Sequence, residues 1–497
     1  MMTHSEIVGA VAAFEKEHPV ETYRSHGFNV WPILRTWIAY RKCQEENDFA
    51  RPCRTEPTLI RNKKKGRKTH VFARTLRSLV REKGAFSIPA SCSVFLTHSS
   101  RVIQLGAKHY NTVVDPIVDV LNAHDRSAVI WEYGPDVGLR THSPFRIEGK
   151  LEHAWQRHKK LHHFLPKASE PSWYPEVRAF AARFVAMSFA WENVRQRFEH
   201  IAVISRIMKS WLCECGAKTL IVDNWYSPRG MAAIAAAKQI GIRTADLQHG
   251  MQTHGHFAYS GWEKSPPVGY EVMPDMFWVW GNSAARSLVE TNRIIAPNSV
   301  IIGGNMWLDQ WTSSVVPEMH HCIQEAQQLT APFKEVILVT LQGHSIRVHE
   351  LRQLIAQSPK EWLWLVRLHR DHLHEIDTTE ELLQQSGHPH IIVRQATFMP
   401  LYALFQGVRV HLTWYSTCAL EALAFGVPSI VLHPNSKTAF RTFLDAGVML
   451  YAKHPQDALS LVPQCANISR ERCREMARDV FAPASKTIGR VLSLFPE

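Results

Sequence analysis

From Ser93 to about residue 450 the chain repeats one pattern. A short run rich in β-branched residues gives way to a polar turn and an amphipathic stretch, then another apolar run begins. SVFLTH (93–98) is followed by VVDPIVDVLNAHD, which has helical apolar spacing, and then by SAVIWEY. TLIVDN, GMAAIAAAKQIG, RTADLQHG, DMFWVWG and SVIIGG continue the series. Strands separated by helices predict parallel sheets covered by crossover helices. A second cycle opens near Pro332 with EVILVTLQG, HELRQLIAQS, WLWLVRLH, TEELLQQSG, HIIVRQ, FMPLYALFQG, VRVHLTW, CALEALAFG and PSIVLH. Two such cycles predict an α/β protein with two Rossmann-like domains facing across a cleft. The expected divisions are a helical N-terminal segment with a basic linker (1–85), a first Rossmann-like domain (86–315), a second (330–465) and a C-terminal helical region (466–497). Residues 140–172 read as an inserted loop or short helices. Residues 175–215 read as one long helix or two, stopped by Gly216.

Composition narrows the class. The 497 residues are 45% hydrophobic with 16 Trp, which excludes a mostly disordered chain. No apolar run reaches the roughly 18–20 residues of a membrane span. The N-terminus, MMTHSEIVGAVAAFEKEH, lacks the basic start and cleavage site of a secretory signal. Nine scattered Cys point to thiols of the cytoplasm rather than disulfides or a zinc site. Residues 61–83 hold ten Lys/Arg against one acid, so most of the formal charge of +12 belongs to one segment. Phe72, Leu76, Leu79 and Val80 fall there at helical spacing, with Arg74, Arg77 and Arg81 between them. That pattern suits a solvated linker helix, or peripheral attachment to the anionic inner membrane face. Nucleic acid is the weakest reading, and no nucleic-acid partner is expected.

Ligands of doubly wound sheets sit beyond the carboxyl ends of the strands. In HLTWYSTCALEALAFGVPSIVLHP (411–434) a strand ends at Trp414, and Tyr415-Ser416-Thr417 open a helix. Hydroxyls and free N–H groups there suit phosphate. Glu421, one turn on, suits the two hydroxyls of a ribose. By composition alone, an ordinary Ser/Thr cap and a surface acid explain the same residues.

Ser416-Thr417, Glu421-Ala422 and Gly426-Val427-Pro428 resemble the donor-binding segment of GT-B glycosyltransferases. More narrowly, they are similar to bacterial capsule and lipopolysaccharide enzymes and to CDP-polyol phosphotransferases of teichoic acid synthesis. The resemblance implies nucleotide phosphate at the hydroxyl turn and ribose at Glu421. It also implies phosphate contacts at the strand end carrying Arg367, His369 and Arg370, where Arg370 stands in place of the family's Pro. Gln342-Gly343, after the first strand of the second domain, would face the diphosphate and sugar. In the first domain, Asp223 and then Gln248-His249-Gly250 about 25 residues later resemble capsule-synthesis proteins. Asp223 and His249 are the implied catalytic candidates, each able to act as base or nucleophile. THSSR (97–101), with Tyr110 and Asp115-Pro116, resembles the first loop of those proteins. His98, Arg101, Gln248 and Gly250 are therefore acceptor candidates. IIGGNMWLD (301–309) resembles the turn before the interdomain linker.

No Asp-x-Asp, P-loop, G-x-G-x-x-G or zinc spacing occurs. The resemblance thus implies a metal-independent glycosyltransferase with no cofactor beyond its nucleotide-sugar co-substrate, CMP-sugars among the candidates. It would act on a glycan or lipid-linked glycan in surface-polysaccharide synthesis. A CDP-polyol phosphotransferase and a non-catalytic binding subunit of a polysaccharide assembly are the alternatives.

Overall fold

The computed structural model describes residues 2–47, 89–162, 169–186, 188–252, 254–312, 317–342 and 345–495. The basic segment 61–83 and Gly343 lie outside the described residues.

Two parallel sheets form the frame. The first contains Ser93–His98 (β1), Ala128–Tyr133 (β2), Phe145–Arg146 (β3), Thr219–Val222 (β4), Arg243–Leu247 (β5), Met276–Val279 (β6) and Val300–Ile302 (β7). Their order is β7-β6-β5-β4-β1-β2-β3, all pairs parallel. The second contains Val336–Thr340 (β8), Leu363–Arg367 (β9), Ile391–Ile392 (β10), Val410–Thr413 (β11), Ser429–Val431 (β12) and Met449–Tyr451 (β13). Its order is β10-β9-β8-β11-β12-β13, again all parallel. In each sheet the first strand is central and the order reverses beside it, as in doubly wound dinucleotide folds. The reversal puts the ends of β1 and β4 next to each other in one domain, and those of β8 and β11 in the other.

The central strands are buried on both faces, which is why they read as continuous apolar runs. The stretch 175–215 is two helices, Tyr174–Phe184 and Trp191–Cys215, the second closed by Gly216 at φ 72°. The region 140–172 is more regular than expected. It supplies edge strand β3 and the helix Glu148–His162.

The ends of the chain are woven into the domains. Helices His4–Glu17 and Trp31–Asn47 place Ile7, Val11, Phe14, Trp31 and Leu34 in the first domain's core. Helix Pro317–Thr330, in the stretch between the two expected domains, lies in the second domain. It packs on helix Leu401–Gly407 so closely that a Cβ at Gly407 would lie 2.6 Å from Thr330 Oγ1. The C-terminal region divides between the domains. Cys473 and Ala477, on helix Arg470–Ala477, join the second core. On and beyond helix Ala484–Leu492, Val491, Leu494 and Phe495 pack against Phe95 and Ile117 of the first.

Candidate functional site

A cleft of about 1020 Å³ runs between the carboxyl ends of the two sheets. Its second-domain wall contains Gln342, Arg367, His369, Arg370, Ser416, Thr417 and Glu421; its first-domain wall contains Arg101, Gln248, His249 and Gly250. Sequence positions up to about 320 residues apart therefore meet in one cavity, as expected of strand ends in facing sheets.

On the second-domain wall, the Gln342 amide oxygen accepts from the Tyr415 N–H at 2.7 Å, tying the end of β8 to the Ser-Thr turn. Helix Cys418–Ala424 is only seven residues long and has no side-chain N-cap bond. Side chains, more than a macrodipole, must therefore carry any anion recognition. Ser416 accepts from the Cys418 N–H at 3.3 Å. Thr417 Oγ1 accepts from the Met251 N–H of the first domain at 3.1 Å, which leaves the hydroxyl its own proton to donate.

Arg367 reaches in from the end of β9. Its guanidinium donates to the carbonyls of Ala396 (2.8 Å) and Met399, fixing the loop beside it. Burial pulls its pKa down to about 10, so it remains a cation at neutral pH. Glu421 lies near it and accepts from the Tyr402 hydroxyl at 2.9 Å. Burial pushes this carboxyl up to about 7, against the opposing pull of Tyr402, Cys418 and Arg367. His369 is exposed on the same wall.

Arg370 makes a contact that the phosphate expectation did not include. Its guanidinium crosses the cleft and donates to the carbonyls of Ser100 (2.5 Å) and Val102. It straps the first loop of one domain to the β9 loop of the other.

On the first-domain wall, His249 is half-buried, with Nε2 3.5 Å from the Tyr226 hydroxyl. Its Nδ1 is buried without a hydrogen bond of normal geometry. Burial, reinforced by the charges of Arg101 and His256, holds the imidazole well below its ordinary pKa, so it is neutral at pH 7. Asp223 does not line the cleft. It is 2% exposed, and its Oδ2 accepts from Thr97 Oγ1 at 2.7 Å and the His98 N–H at 3.3 Å. The side chain one position past β4 turns back under β1, where it braces the loop and lies 3.6 Å behind the Arg101 Nε. His98 is likewise outside the cleft wall; its Nδ1 accepts from the Ser100 N–H at 2.9 Å. Gln248 uses both ends of its amide to pin the β5 loop, donating to Gly250 O at 2.9 Å and accepting from Trp280 N at 2.7 Å. Asp115 is buried and accepts from Asn111 N at 2.8 Å, a loop-fixing contact.

Sequence reasoning missed the aromatic floor. Trp278, Trp280, Trp307 and Tyr402 line the cleft. Tyr110 stacks on Trp307 at 5.1 Å between ring centroids, and Trp307 stacks on Tyr402 at 6.1 Å. The paired Trp at the end of DMFWVWG was the available signal. Among the described residues no group of three His, Cys, Asp or Glu side chains is arranged to hold a metal ion, and no helix is long and apolar enough to cross a membrane.

No family model and no curated protein matches the sequence. Among solved structures, the chain is similar to the UDP-GlcNAc 2-epimerase of Neisseria meningitidis bound to UDP-GlcNAc. The identity is 15%, over 81% of this chain and 99% of that one, with a TM-score of 0.49. It is similar to the Methanocaldococcus jannaschii UDP-GlcNAc 2-epimerase in complex with UDP-GlcNAc and UDP, at 12% identity over 80% and 99% with a TM-score of 0.48. It is also similar to the wall teichoic acid polymerase TagF, at 8% identity over 81% and 88% with a TM-score of 0.46. At such identities these are likenesses of chain path alone.

Proposed function

We propose that the protein is a metal-independent glycosyltransferase that takes a sugar from a nucleotide-sugar, CMP-sugars among the candidates, to a glycan or lipid-linked glycan of a surface polysaccharide. One observation carries the reading. A cation, two hydroxyls and a carboxylate (Arg367, Ser416, Thr417 and Glu421) converge on one wall of an interdomain cleft, at the reversal point of the second sheet. In this reading Arg367, Ser416, Thr417 and His369 hold phosphate, Glu421 holds ribose, and His249 activates the acceptor hydroxyl from the opposite wall. The leaving phosphate is then stabilised by protein donors already in place.

A thermal-shift and calorimetric screen with CMP, CDP, UDP, GDP and their sugars, run in EDTA, tests the donor half. One nucleotide is expected to bind. Ser416→Ala combined with Thr417→Ala should weaken it by about 1–3 kcal/mol, the worth of hydrogen bonds to a charged group. A folded double mutant with wild-type nucleotide affinity would remove the turn from the site. Binding without turnover of any sugar nucleotide would favour a binding subunit instead.

The Glu421 carboxyl, raised to about 7, gives the ribose contact a pH signature. Below that pH it is protonated in the free protein, so binding must displace a proton and affinity falls. Above it the carboxylate is already formed and affinity levels off. Cytidine or uridine, which carry no phosphate to titrate, should bind about tenfold more weakly at pH 6 than at pH 8. Glu421→Gln should bind weakly at both. A pH-independent affinity in the wild type would separate Glu421 from the ribose.

A further inference from the structure

We infer that the acceptor carries a phosphate or carboxylate group, bound by Arg101. The inference rests on the glycosyltransferase reading above and adds the chemical class of its second substrate.

Arg101 sits in the first-domain wall of the cleft. Among the described residues its guanidinium finds no hydrogen-bond partner, and its Nε is buried. Among the described residues its ion-pair partner is Asp223, whose Oδ2 lies 3.6 Å from Nε, beyond hydrogen-bond range, and accepts from Thr97 and His98. A guanidinium has five N–H donors in a fixed fork. Only Nε is buried; the terminal N–H groups of this partly exposed side chain are open to the cleft, where the oxygens of a ligand can replace water.

Two further observations point the same way. First, among the described residues lining the cleft, Glu421 is the sole carboxylate, and it belongs to the opposite wall. The first-domain wall therefore has a cation and no balancing acid at its surface. Secondly, the loop bearing Arg101 is held at both neighbouring positions. Arg370 grips the carbonyls of Ser100 and Val102, and Arg101 O accepts from Thr112 N at 3.0 Å. A side chain on a backbone fixed this firmly is pre-organised, and a planar fork matches the oxygens of phosphate or carboxylate in a bidentate pair. The donor's phosphates already have Arg367 and the Ser-Thr turn on the far wall. Arg101 is thus placed for a second anion, next to His249.

Glycerol 1-phosphate and glucuronate, with glycerol and glucose as neutral controls, are titrated into the wild-type protein, with and without the nucleotide selected by the screen. Fluorescence of the cleft tryptophans is the readout. The wild type is expected to bind at least one anion in the nucleotide-saturated protein and neither neutral control. Arg101→Gln should weaken that binding roughly ten- to a hundredfold, and Arg101→Lys should recover part of it. Nucleotide affinity should be the same in all three proteins. Whether the phosphate or the carboxylate binds more tightly identifies which anion the acceptor carries. Equal anion affinity in wild type and Arg101→Gln overturns the inference. So does a loss confined to nucleotide binding, which would assign Arg101 to the donor. If no nucleotide binds at all, the glycosyltransferase reading fails, while the anion titrations still decide whether Arg101 forms an anion site.

Discussion

Replacing His249 with alanine is expected to lower turnover of the proposed transfer by about 10²–10⁴-fold, the usual worth of a positioned acid–base group. Nucleotide affinity should hardly move, because the imidazole stands on the wall opposite Arg367 and the Ser-Thr turn. The imidazole is neutral because burial and the Arg101 charge disfavour its cation. A base with a depressed pKa stays deprotonated across the physiological range, and its activity is lost only when the pH falls below that pKa. The kcat profile at saturating donor should therefore show no acidic limb near 6.5, the ordinary pKa of histidine. A limb near 7 should appear instead in kcat/KM for the donor, where Glu421 titrates. Added imidazole should restore part of the His249→Ala activity by entering the space the ring leaves. Turnover within threefold of wild type in His249→Ala would rule it out as the base.

Much of the frame is legible because strands buried on both faces must be apolar throughout. TLIV, VILVT and LWLVR read as strands for that reason, and all three are. Within the two parallel sheets, the strands missed were those without such runs. Phe145–Arg146 is two residues at a sheet edge, and its helix, EGKLEHAWQRHKKLH, is too polar to show an apolar period. Met449–Tyr451 is three residues after two short helices. Strand order is a property of long-range pairing and leaves no local mark.

The site follows the same division. The second-domain candidates share the cleft wall because they lie at strand ends, where backbone position alone determines access. Asp223 and Arg370 also lie at strand ends, yet Asp223 turns under β1, out of the cleft wall, and Arg370 spans the cleft onto backbone carbonyls of the other domain. A one-dimensional reading locates the residue but not the direction of its side chain. The aromatic floor escaped for a related reason. Trp280, Trp307 and Tyr402 are ordinary core residues in sequence, and only the meeting of two domains makes them one surface.

Glu15→Ala is expected to destabilise the first domain by about 3–5 kcal/mol, the cost of leaving one half of a buried ion pair uncompensated. Glu15 is fully buried, as is Arg35. Glu15 Oε1 accepts from Arg35 Nε and from Trp31 Nε1 at 3.0 Å, and Oε2 accepts from the Glu263 N–H at 2.8 Å. Arg35 donates onward to the carbonyls of Phe257 and, at 2.7 Å, Ser260, and its guanidinium lies 4.0 Å over the Trp262 ring. The network thus joins both N-terminal helices to residues 257–263, the segment that follows the His249 loop. Removing the carboxylate strands the guanidinium among Trp31, Trp262 and backbone carbonyls, where water cannot replace the lost charge. A fall in melting temperature on the order of 10 °C should follow. Arg35→Met alone should cost a similar amount by leaving the Glu15 carboxyl buried without its partner. Glu15→Leu combined with Arg35→Met should recover much of the loss, since an apolar pair of similar volume removes the desolvation penalty as well as the attraction. Thermal and urea denaturation of Glu15→Leu, Arg35→Met and their combination completes a double-mutant cycle, with Glu15→Ala measured alongside. Single variants within 1 kcal/mol of wild type would show that the N-terminal helices merely rest on the domain. The expected coupling makes them the clamp beneath the segment that follows His249, and nucleotide turnover should then decline with stability in the single variants and return in the double.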